Sequence, residues 1–389
     1  MKLKQSAGLL ALACLAYPMT TLASTGHAVE TNQATSTLNA SAPVRGQDEA
    51  VQEFERQSEA FNSLNSQIEA IVERFRAASE EERPAIQAEY QAAVEKLQEA
   101  IPRLEKATMD AYAVTKESNE DVSNMMLRLA LTYLSNEQYH TSMKFAQQLI
   151  DAGCDSEGLF AIAGMDAYGT NQFEKAKQYW DKAKQAGTMT PDMERFASGL
   201  DGIIESWKNE VAIRQREAAA DDLPRVELMT NKGRIVIELF ENQAPGAVGN
   251  FVSLVEKGFY DGLSFHRVLP QFMAQGGCPD GTGAGGPGYK IYCETDRDDY
   301  RHHFAGTLSM AHAGKDTGGS QFFITFLPTT HLDGRHTAFG RVIEGWDVLA
   351  NLQRINPQTP NPNVKPDVIE KATVLRKRNH EYQPNKVEN

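Results

Sequence analysis

The chain has 389 residues, a length that predicts two or three domains at about 150 residues each. Its residues are 41% hydrophobic, 23% charged and 8% aromatic, which excludes a largely disordered, collagen-like or disulfide-dense chain. The formal charge of −13 argues against a general nucleic-acid binder, because such a protein needs a basic surface to neutralise phosphates. Residues 1–220 carry 21 basic and 32 acidic side chains, whereas residues 221–389 carry 18 and 20, which indicates two parts with different surfaces.

The N-terminus has the pattern of a secretory signal. Lys2 and Lys4 precede an apolar run over residues 7–17, and the small-residue site Thr21-Leu22-Ala23 follows. A helix over this run is too short to cross a hydrocarbon core of about 30 Å, and no other stretch approaches the roughly 20 apolar residues that a span needs. The sequence therefore predicts a signal peptide over residues 1–23, a periplasmic or extracellular protein, and no membrane span.

Two details of this segment stay open. Cleavage after Ala28 is an alternative to cleavage after Ala23. Cys14 follows Ala11-Leu12-Ala13, a weak match to a lipoprotein processing site, so a lipid anchor at Cys14 is an alternative to an ordinary residue of the apolar run. Residues 24–47 are rich in Ser, Thr, Asn and Ala and have no apolar period, which predicts a flexible spacer.

Export would leave three cysteines, in an environment that permits disulfides. Cys278 and Cys293 flank one glycine-rich loop, and their spacing is compatible with a disulfide between them. It is equally compatible with two unpaired thiols, because spacing alone does not fix the distance between two Cα atoms. Cys154 is then left over, and we expect it half-buried in a turn of the helical half.

The acidic half has the periodicity of helices. Between residues 48 and 118 apolar residues recur at spacings of three and four. Ser79-Glu80-Glu81-Glu82-Arg83, followed by Pro84, marks a turn and a new helix start. The segment therefore predicts two antiparallel helices or a short coiled coil.

A 34-residue period follows, which places Tyr139 and Phe173 at equivalent positions. The first unit contributes large and small residues at Met126, Leu129, Ala130, Tyr133, Tyr139, Ser142, Ala146 and Leu149. The second contributes Phe160, Ala163, Gly164, Ala167, Phe173, Ala176, Trp180 and Ala183. Over residues 123–189 the pattern resembles the tetratricopeptide repeat, in which small residues let paired helices approach and aromatic residues fill the gap between repeats. Two repeats bury little surface, so we expect a helix over residues 191–219 to cap residues 119–220.

The function of such an array has two interpretations. Tetratricopeptide arrays bind peptides or proteins in a groove, which implies a protein partner, or they serve as spacers or dimerisation elements. The family's best-known peptide clamp uses Lys and Asn on the first helix of each repeat. This chain has Leu127, Leu131, Ala161 and Met165 at those positions, so that clamp is absent.

The pattern changes at residue 225, where short strands begin. Residues 226–229 and 234–239 flank Asn231-Lys232-Gly233 and predict a hairpin. A helix is predicted over residues 244–256 and another over residues 345–353. Further strands are predicted near residues 265–269, 272–275, 307–311, 321–325, 338–342 and 370–375. Many short strands with two helices predict a closed antiparallel barrel capped by the helices, over residues 221–380, with residues 381–389 as a tail.

Six motifs in this half identify a family. They are Phe265-His266-Arg267-Val268, Phe272-Met273-Ala274-Gln275-Gly276-Gly277, Gly281-Thr282-Gly283-Ala284-Gly285-Gly286, Phe304-Ala305-Gly306-Thr307-Leu308-Ser309-Met310-Ala311, Gly319-Ser320-Gln321-Phe322-Phe323-Ile324 and His331-Leu332-Asp333-Gly334-Arg335-His336-Thr337. Over residues 224–378 the chain resembles the cyclophilins, which are peptidyl-prolyl cis-trans isomerases. The resemblance implies an enzyme whose substrates are proline-containing polypeptides. Together with the predicted signal peptide, it predicts an isomerase that assists the folding of exported proteins.

The chemistry of this reaction explains why one arginine matters. Resonance in the amide gives the peptide bond a rotation barrier of about 18–20 kcal/mol, and catalysis must favour the twisted amide over both planar forms. Twisting localises a lone pair on the prolyl nitrogen, so a fixed cation that donates a hydrogen bond to that nitrogen stabilises the twisted state. Arginine suits this role because it stays protonated and its planar fork is stiff. The resemblance places Arg267 in the role. No bond breaks, so neither a cofactor nor a metal is expected, although His266, His302 and His303 are metal-binding residue types.

The resemblance assigns further side chains to the substrate cleft. Gln275 is expected to orient Arg267 and to contact the substrate carbonyl. The slot for the proline ring is implied to consist of Phe272, Met273, Phe323 and Leu332. The residues before proline are implied to lie along Ala311, His312 and Gln321, with His336 at the far rim.

The chain departs from well-studied cytosolic cyclophilins at two of these positions. His312 stands where those members have Asn, which puts its side-chain contacts with substrate in doubt. His331 stands where they have a Trp that helps to bind the cyclic peptide cyclosporin. We therefore expect catalysis to be retained and cyclosporin binding to be weakened. A binding module that recognises proline without turnover is the rival interpretation, and the intact set around Arg267 favours the enzyme.

Overall fold

The structure, a computed structural model, describes residues 45–362 and 364–388. The predicted signal peptide, Cys14 and spacer residues 24–44 lie outside the described residues. Within the described part the chain forms two compact units, one of residues 45–132 and 145–155, the other of residues 133–144, 156–362 and 364–388. No helix among these residues is long and apolar enough to cross a membrane.

The first unit is built on two long helices, α1 (Arg45–Ala77) and α2 (Arg83–Thr115). The two helices pack against each other, and Phe61 and Leu97 are among their buried side chains. The Glu82 carboxylate closes the turn between them by accepting the backbone N–H of Ser79 at 2.9 Å and its hydroxyl at 2.7 Å. Pro84 occupies the first turn of α2, where its missing N–H is not needed. The structure therefore has the two helices and the turn that the sequence predicts.

Four helices follow where the sequence predicts two helix-turn-helix units. A Cβ atom on Gly164 would lie 2.2 Å from the Trp180 ring, and one on Gly169 would lie 2.4 Å from the Tyr139 ring, so these two positions require glycine. Small residues thus allow the close approach that the spacing implies. The helices are α3 (Glu120–Ser135), α4 (Tyr139–Asp151), α5 (Leu159–Gly169) and α6 (Phe173–Gln185).

The single helix predicted over residues 191–219 is wrong. Two helices occupy this stretch, α7 (Pro191–Ser198) and α8 (Leu200–Ala220), and they are interrupted at Gly199. The Thr190 hydroxyl caps α7 by accepting the backbone N–H of Met193 at 3.3 Å. Glycine is unfavourable in the interior of a helix. The Gly199 backbone, with φ −101° and ψ 2°, ends one helix and precedes the next.

The rest of the second unit is an antiparallel sheet with two helices. Its strands follow the order β3-β4-β6-β5-β7-β2-β1-β8, and every neighbouring pair is antiparallel. The elements are β1 (Arg225–Thr230), β2 (Gly233–Leu239), α9 (Pro245–Glu256), β3 (Arg267–Leu269), β4 (Met273–Gly276), β5 (Thr307–Met310), β6 (Phe322–Thr325), β7 (Ala338–Glu344), α10 (Trp346–Ala350) and β8 (Ile369–Arg376). The predicted hairpin and both predicted helices are present.

The sheet is curled, and its order ends at β3 and β8. An isolated bridge between Ser264 and Val368 joins the segments that precede these two edge strands. Around it, Phe265 donates its N–H to the Asp367 carbonyl at 2.9 Å, and Ile369 donates its N–H to the Leu263 carbonyl at 2.8 Å. The two strands themselves are not paired, so full closure of the barrel remains a prediction.

A cluster of aromatic side chains fills the core under the sheet. Phe251 of α9 packs against Tyr260, Phe322 and Phe339, with ring centroids 5.0, 5.6 and 5.4 Å away. All four rings are fully buried. The Tyr260 hydroxyl donates to the Ser320 carbonyl at 3.0 Å, which fixes the backbone at the start of β6.

A buried ion-pair cluster joins α8 to the sheet. The Arg301 side chain is 1% exposed. Its guanidinium donates to both oxygens of Glu210 at 2.8 and 2.6 Å and to Glu217 at 2.5 Å, and it lies 3.7 Å above the Phe240 ring. Arg341 of β7 donates to the other Glu217 oxygen at 2.9 Å. The predicted domain boundary at residue 221 therefore separates Arg301 from its carboxylates, although α8 and the sheet belong to one compact unit.

This cluster predicts a loss of stability in acid. Burial raises the pKa of Glu210, but Arg301 and Arg214 outweigh burial and hold it at about 2, below the usual 4.5. Since this pKa is depressed in the folded state, its contribution is complete above about pH 4.5 and is lost as the pH falls towards 2. Each pKa unit corresponds to about 1.4 kcal/mol. We expect the free energy of unfolding, measured with urea, to be lower at pH 3 than at pH 5. The difference between the two pH values is expected to be smaller in Glu210→Gln. An equal fall in both proteins would contradict the assignment.

Candidate active site

The register of β3 and β4 places Arg267 opposite Gln275. Arg267 is half-buried, and its Nη1 donates to Gln275 Oε1 at 3.3 Å and lies 3.8 Å from Met273 Sδ. Burial lowers the pKa of the Arg267 guanidinium from its ordinary value, and an arginine stays cationic under such conditions. The predicted pair is therefore together, with the cation pointing along an apolar side chain.

A chain of amide contacts fixes Gln275 in turn. Gln275 Nε2 donates to Gln321 Oε1 at 3.0 Å. Gln321 Nε2 donates to the carbonyls of Gly283 and Gly285 at 2.8 and 2.9 Å. The guanidinium is thus tied through two amides to the glycine-rich loop, which restricts the rotamers of all three side chains.

These residues line a cleft of about 1230 Å³. The Arg267 guanidinium carbon lies 5.7 Å from the centre of the Phe272 ring. Met273 and Phe323 are buried and form the floor, while Phe272 and Leu332 are half-buried. Ten of the residues that the sequence assigns to the site line this one cleft: Arg267, Phe272, Met273, Gln275, Ala311, His312, Gln321, Phe323, Leu332 and His336.

Two stacked imidazoles form one side of the cleft. The His312 and His336 rings are 4.0 Å apart, and His336 meets the Phe323 ring edge-on at 5.6 Å. His312 Nε2 lies 2.9 Å from the Arg335 carbonyl, and its Nδ1 accepts the Gly314 N–H at 3.2 Å. Burial, reinforced by His312, lowers the pKa of His336. Because His312 is engaged by backbone groups on both nitrogens, its side chain is fixed as part of the wall.

His331 does not line the cleft. Its ring lies 5.7 Å from the Phe272 ring, on a short 3-10 turn over Thr330–Leu332, and the side chain is exposed. The structure thus places His331 beside one wall residue, outside the group that encloses the slot.

The adjacent histidines His302 and His303 are held by a carboxylate. Asp333 contacts His302 Nδ1 at 2.9 Å and His303 Nδ1 at 2.8 Å. Burial raises the pKa of Asp333, but the hydrogen bonds from the two imidazoles outweigh it and hold the pKa at about 2. His303 stacks on the Phe323 ring at 5.9 Å, so the carboxylate supports the cleft floor from behind. Across residues 45–362 and 364–388, no group of three His, Cys, Asp or Glu side chains is arranged to hold a metal ion.

Of the two alternatives for Cys278 and Cys293, the structure has the pair of free thiols and not the disulfide. Cys278 Sγ accepts the N–H of Gly283 at 3.2 Å, whereas Cys293 Sγ accepts the N–H of Asp316 at 3.2 Å. Each sulfur is therefore directed to a different loop. Cys154 is buried rather than half-buried.

Two sets of residues around the cleft have no counterpart in the sequence prediction. The first is Gly286–Lys290 together with Lys386, Val387 and Glu388, which extend the cleft lining beyond Gln321. The second is Glu137, in the turn between α3 and α4. Neither has a local sequence signal, because each depends on contacts between segments more than 90 residues apart.

Glu137 holds the turn that precedes the apolar wall. Its Oε1 accepts the backbone N–H of Gln271 at 2.9 Å, and its Oε2 accepts Arg354 Nη2 at 2.8 Å. Gln271 has a left-handed backbone (φ 55°), which is unfavourable for a residue with a side chain. Phe272 follows directly, so the carboxylate stabilises a strained turn beside the cleft wall.

We expect Glu137→Ala to lower kcat/KM for a proline peptide about five-fold, mainly by raising KM, because one hydrogen bond of about 1 kcal/mol positions the Gln271 turn. Glu137→Gln keeps an acceptor for the Gln271 N–H and is expected to retain most activity. Gln138→Ala is the matched control, because the hydrogen bond that the Gln138 side chain donates to Asn351 is exposed to solvent. Equal KM values in Glu137→Ala and Gln138→Ala would contradict a positioning role.

Comparison with known proteins gives the same protein family as the six sequence motifs do. The sequence model of the cyclophilin type peptidyl-prolyl cis-trans isomerases matches residues 225–374. Peptidyl-prolyl cis-trans isomerase B of Bacillus subtilis is 57% identical over 125 residues, which cover 32% of this chain and 87% of the relative. The isomerase of Synechococcus elongatus is 63% identical over 114 residues (29% and 77%), and isomerase ppi1 of Schizosaccharomyces pombe is 46% identical over 157 residues (39% and 100%). The chain belongs to the cyclophilin-type peptidyl-prolyl cis-trans isomerases.

Proposed function

We propose that the chain catalyses rotation about X–Pro bonds in exported proteins and thereby assists their folding. The observation that carries the proposal is the position of Arg267, a half-buried cation aimed along an apolar slot and oriented by Gln275. Proline-containing polypeptides are the substrates. The helical region recruits or positions them.

The mechanism follows from the residues of the cleft. The slot of Phe272, Met273, Phe323 and Leu332 takes the proline ring by apolar contact. Arg267 donates a hydrogen bond to the prolyl nitrogen when the amide is twisted and its lone pair is localised. Since this bond is weaker to either planar form, it lowers the barrier. No proton is transferred, so His336 serves as a wall and not as an acid or base.

Turnover of a proline peptide by the whole chain distinguishes this proposal from the alternative of a binding module that recognises proline without catalysis. Cis-to-trans isomerisation is measured at increasing enzyme concentration, and the observed rate is expected to rise linearly above the uncatalysed rate. Binding of the peptide without any increase in the rate would support the module and exclude the enzyme.

The helical region is proposed to be tetratricopeptide-like and to bind unfolded clients. The support is the 34-residue period, together with the close approaches at Gly164 and Gly169. For the sheet, we propose closure into a barrel through the Ser264–Val368 bridge. The experiment on the helical region must keep α8, because Arg301 needs Glu210 and Glu217.

A chain that starts at Ser156 meets this condition. It retains α5–α8 and removes the helices before them. We expect the ratio of activity on an unfolded protein to activity on a peptide to fall in the shortened chain. Using the ratio removes any effect on the isomerase site itself, including the loss of Glu137. An unchanged ratio would show that α1–α4 do not recruit clients.

Export is proposed on the pattern of residues 1–23. The N-terminus of the mature protein, determined by mass spectrometry after expression in a secreting host, is expected at Ser24 or Val29. An intact N-terminus in the cytoplasmic fraction would exclude export.

A further inference from the structure

Residues 381–388, predicted as a tail, are an ordered part of the second unit. This segment lies beyond the range that the family model matches, residues 225–374. Tyr382 is buried, and its hydroxyl donates to Glu241 at 2.8 Å. A Cβ atom on Gly249 would lie 2.5 Å from the Gln383 carbonyl oxygen, so α9 needs glycine there for the segment to pass.

The segment then pairs with the backbone beside the cleft. Ile291 and Lys386 form an antiparallel bridge. Tyr292 donates its N–H to the Asn385 carbonyl at 3.3 Å, and Val387 donates its N–H to the Lys290 carbonyl at 2.9 Å. These bonds place Lys386, Val387 and Glu388 in the cleft wall.

Lys386 sits on a rigid platform. Its Nζ lies 4.4 Å from the centre of the Tyr289 ring. The Tyr289 hydroxyl donates to Asn250 Oδ1 at 2.7 Å, and Asn250 Nδ2 donates to the Gly319 carbonyl at 2.7 Å. The ring is thus fixed in place, and it holds the ammonium group at the cleft.

The charges at this end of the cleft are mainly positive. Lys290 and Lys386 line it, together with the single carboxylate Glu388. Among the residues that the structure describes, no carboxylate lies within 4.0 Å of either ammonium group, whereas six other lysines are ion-paired. Gln321 lies on the side of the cleft assigned to the residues before proline, where it donates to the carbonyls of Gly283 and Gly285. Gly319, two residues before it, accepts the Asn250 amide that holds the Tyr289 ring, so the Lys386 platform adjoins this side of the cleft.

We propose that Lys386, presented by the segment 381–388, forms a cationic subsite that selects clients with an acidic side chain two or three residues before the proline. The proposal rests on the proposed function, since it concerns the substrate of the same cleft. The segment contributes selectivity through charge, and the slot around Arg267 contributes turnover.

The test uses the whole chain and proline peptides that differ only in having Glu, Gln or Lys two or three residues before the proline. In the unaltered protein we expect kcat/KM to be about three-fold higher for Glu than for Gln at one of these positions, the size of effect expected for an exposed ion pair. Lys386→Glu is expected to reverse the preference in favour of the Lys peptide, and Lys386→Gln to abolish it. At about 1 M salt, where the screening length is about 3 Å, the preference should disappear.

Two further variants complete the test. Lys365→Glu makes the same charge change at an exposed position outside the cleft, and is expected to keep the original preference. Gly249→Ala displaces the segment without changing charge, and is expected to lose the preference. The same Glu-to-Gln ratio in Lys386→Glu and Lys365→Glu would overturn the proposal. An equal gain on all three peptides in Lys386→Glu would also overturn it, because the segment would then obstruct the cleft. Failure of the unaltered protein to turn over the Gln peptide would instead contradict the proposed function itself.

Discussion

Replacing Arg267 with alanine is expected to lower kcat/KM for a proline peptide by about 100-fold or more. In the proposed mechanism the guanidinium donates to the amide nitrogen, and removal of such a donor typically costs 10²–10³ in rate. The loss should fall on kcat, because the apolar slot that binds the ring is unchanged. The measurement is the rate of cis-to-trans conversion in the whole chain.

Three comparisons make this result specific. Arg267→Lys keeps the charge but loses the planar fork, so an intermediate rate is expected. Arg297→Ala removes an exposed arginine that pairs with Asp299 outside the cleft, and should leave the rate unchanged. The thermal midpoint of each variant shows whether the fold is intact. A folded Arg267→Ala with the original rate would eliminate the proposed mechanism and leave a proline-binding module.

Replacing Arg301 with methionine is expected to reduce the free energy of unfolding by about 3–5 kcal/mol. The change leaves Glu210 and Glu217 buried without their main counter-charge, which is the costly way to break a buried ion pair. Urea unfolding at pH 7 measures the loss. Arg297→Ala, in an exposed pair, should lower stability by less than about 1 kcal/mol.

The carboxylates can be removed as well. The combined variant Arg301→Met with Glu210→Gln and Glu217→Gln removes the two buried carboxylate charges, while Arg341 keeps Glu238 and Arg214 is partly exposed to solvent. It is expected to regain part of the stability that Arg301→Met loses. If the triple variant is less stable than Arg301→Met alone, the cluster does not act through charge compensation.

The sequence predicts the elements of the isomerase half closely, since each has a local signal. Asn231-Lys232-Gly233 marks the first hairpin, and β1 and β2 flank it as expected. The cleft residues are found by motif, and ten of them line one cavity. His331 is the exception, because its position on a 3-10 turn depends on how that turn packs beside Phe272.

Contacts between distant segments have no such signal. Nothing in the sequence around Arg301 predicts that its partners are Glu210 and Glu217, which lie on a helix of the other half. The same holds for Glu137 and Gln271, and for the Lys386 segment beside Ile291. The break at Gly199 has no such signal either, because the helical periodicity continues on both sides of it. In each case the decisive interaction is formed only when the whole unit folds.

Behind the cleft floor, three hydrogen-bonded side chains have the same order as the catalytic triad of a serine hydrolase. Asp333, His303 and Ser309 follow one another at 2.8 and 2.9 Å, in the sequence acid, imidazole, hydroxyl. Yet Ser309 is fully buried, and its hydroxyl also lies 3.1 Å from the Thr337 carbonyl. An organophosphate cannot reach it, and no acyl group could be accommodated. A search for nucleophilic triads by interatomic distance alone would therefore return this chain as a false esterase, and solvent access is the criterion that removes it.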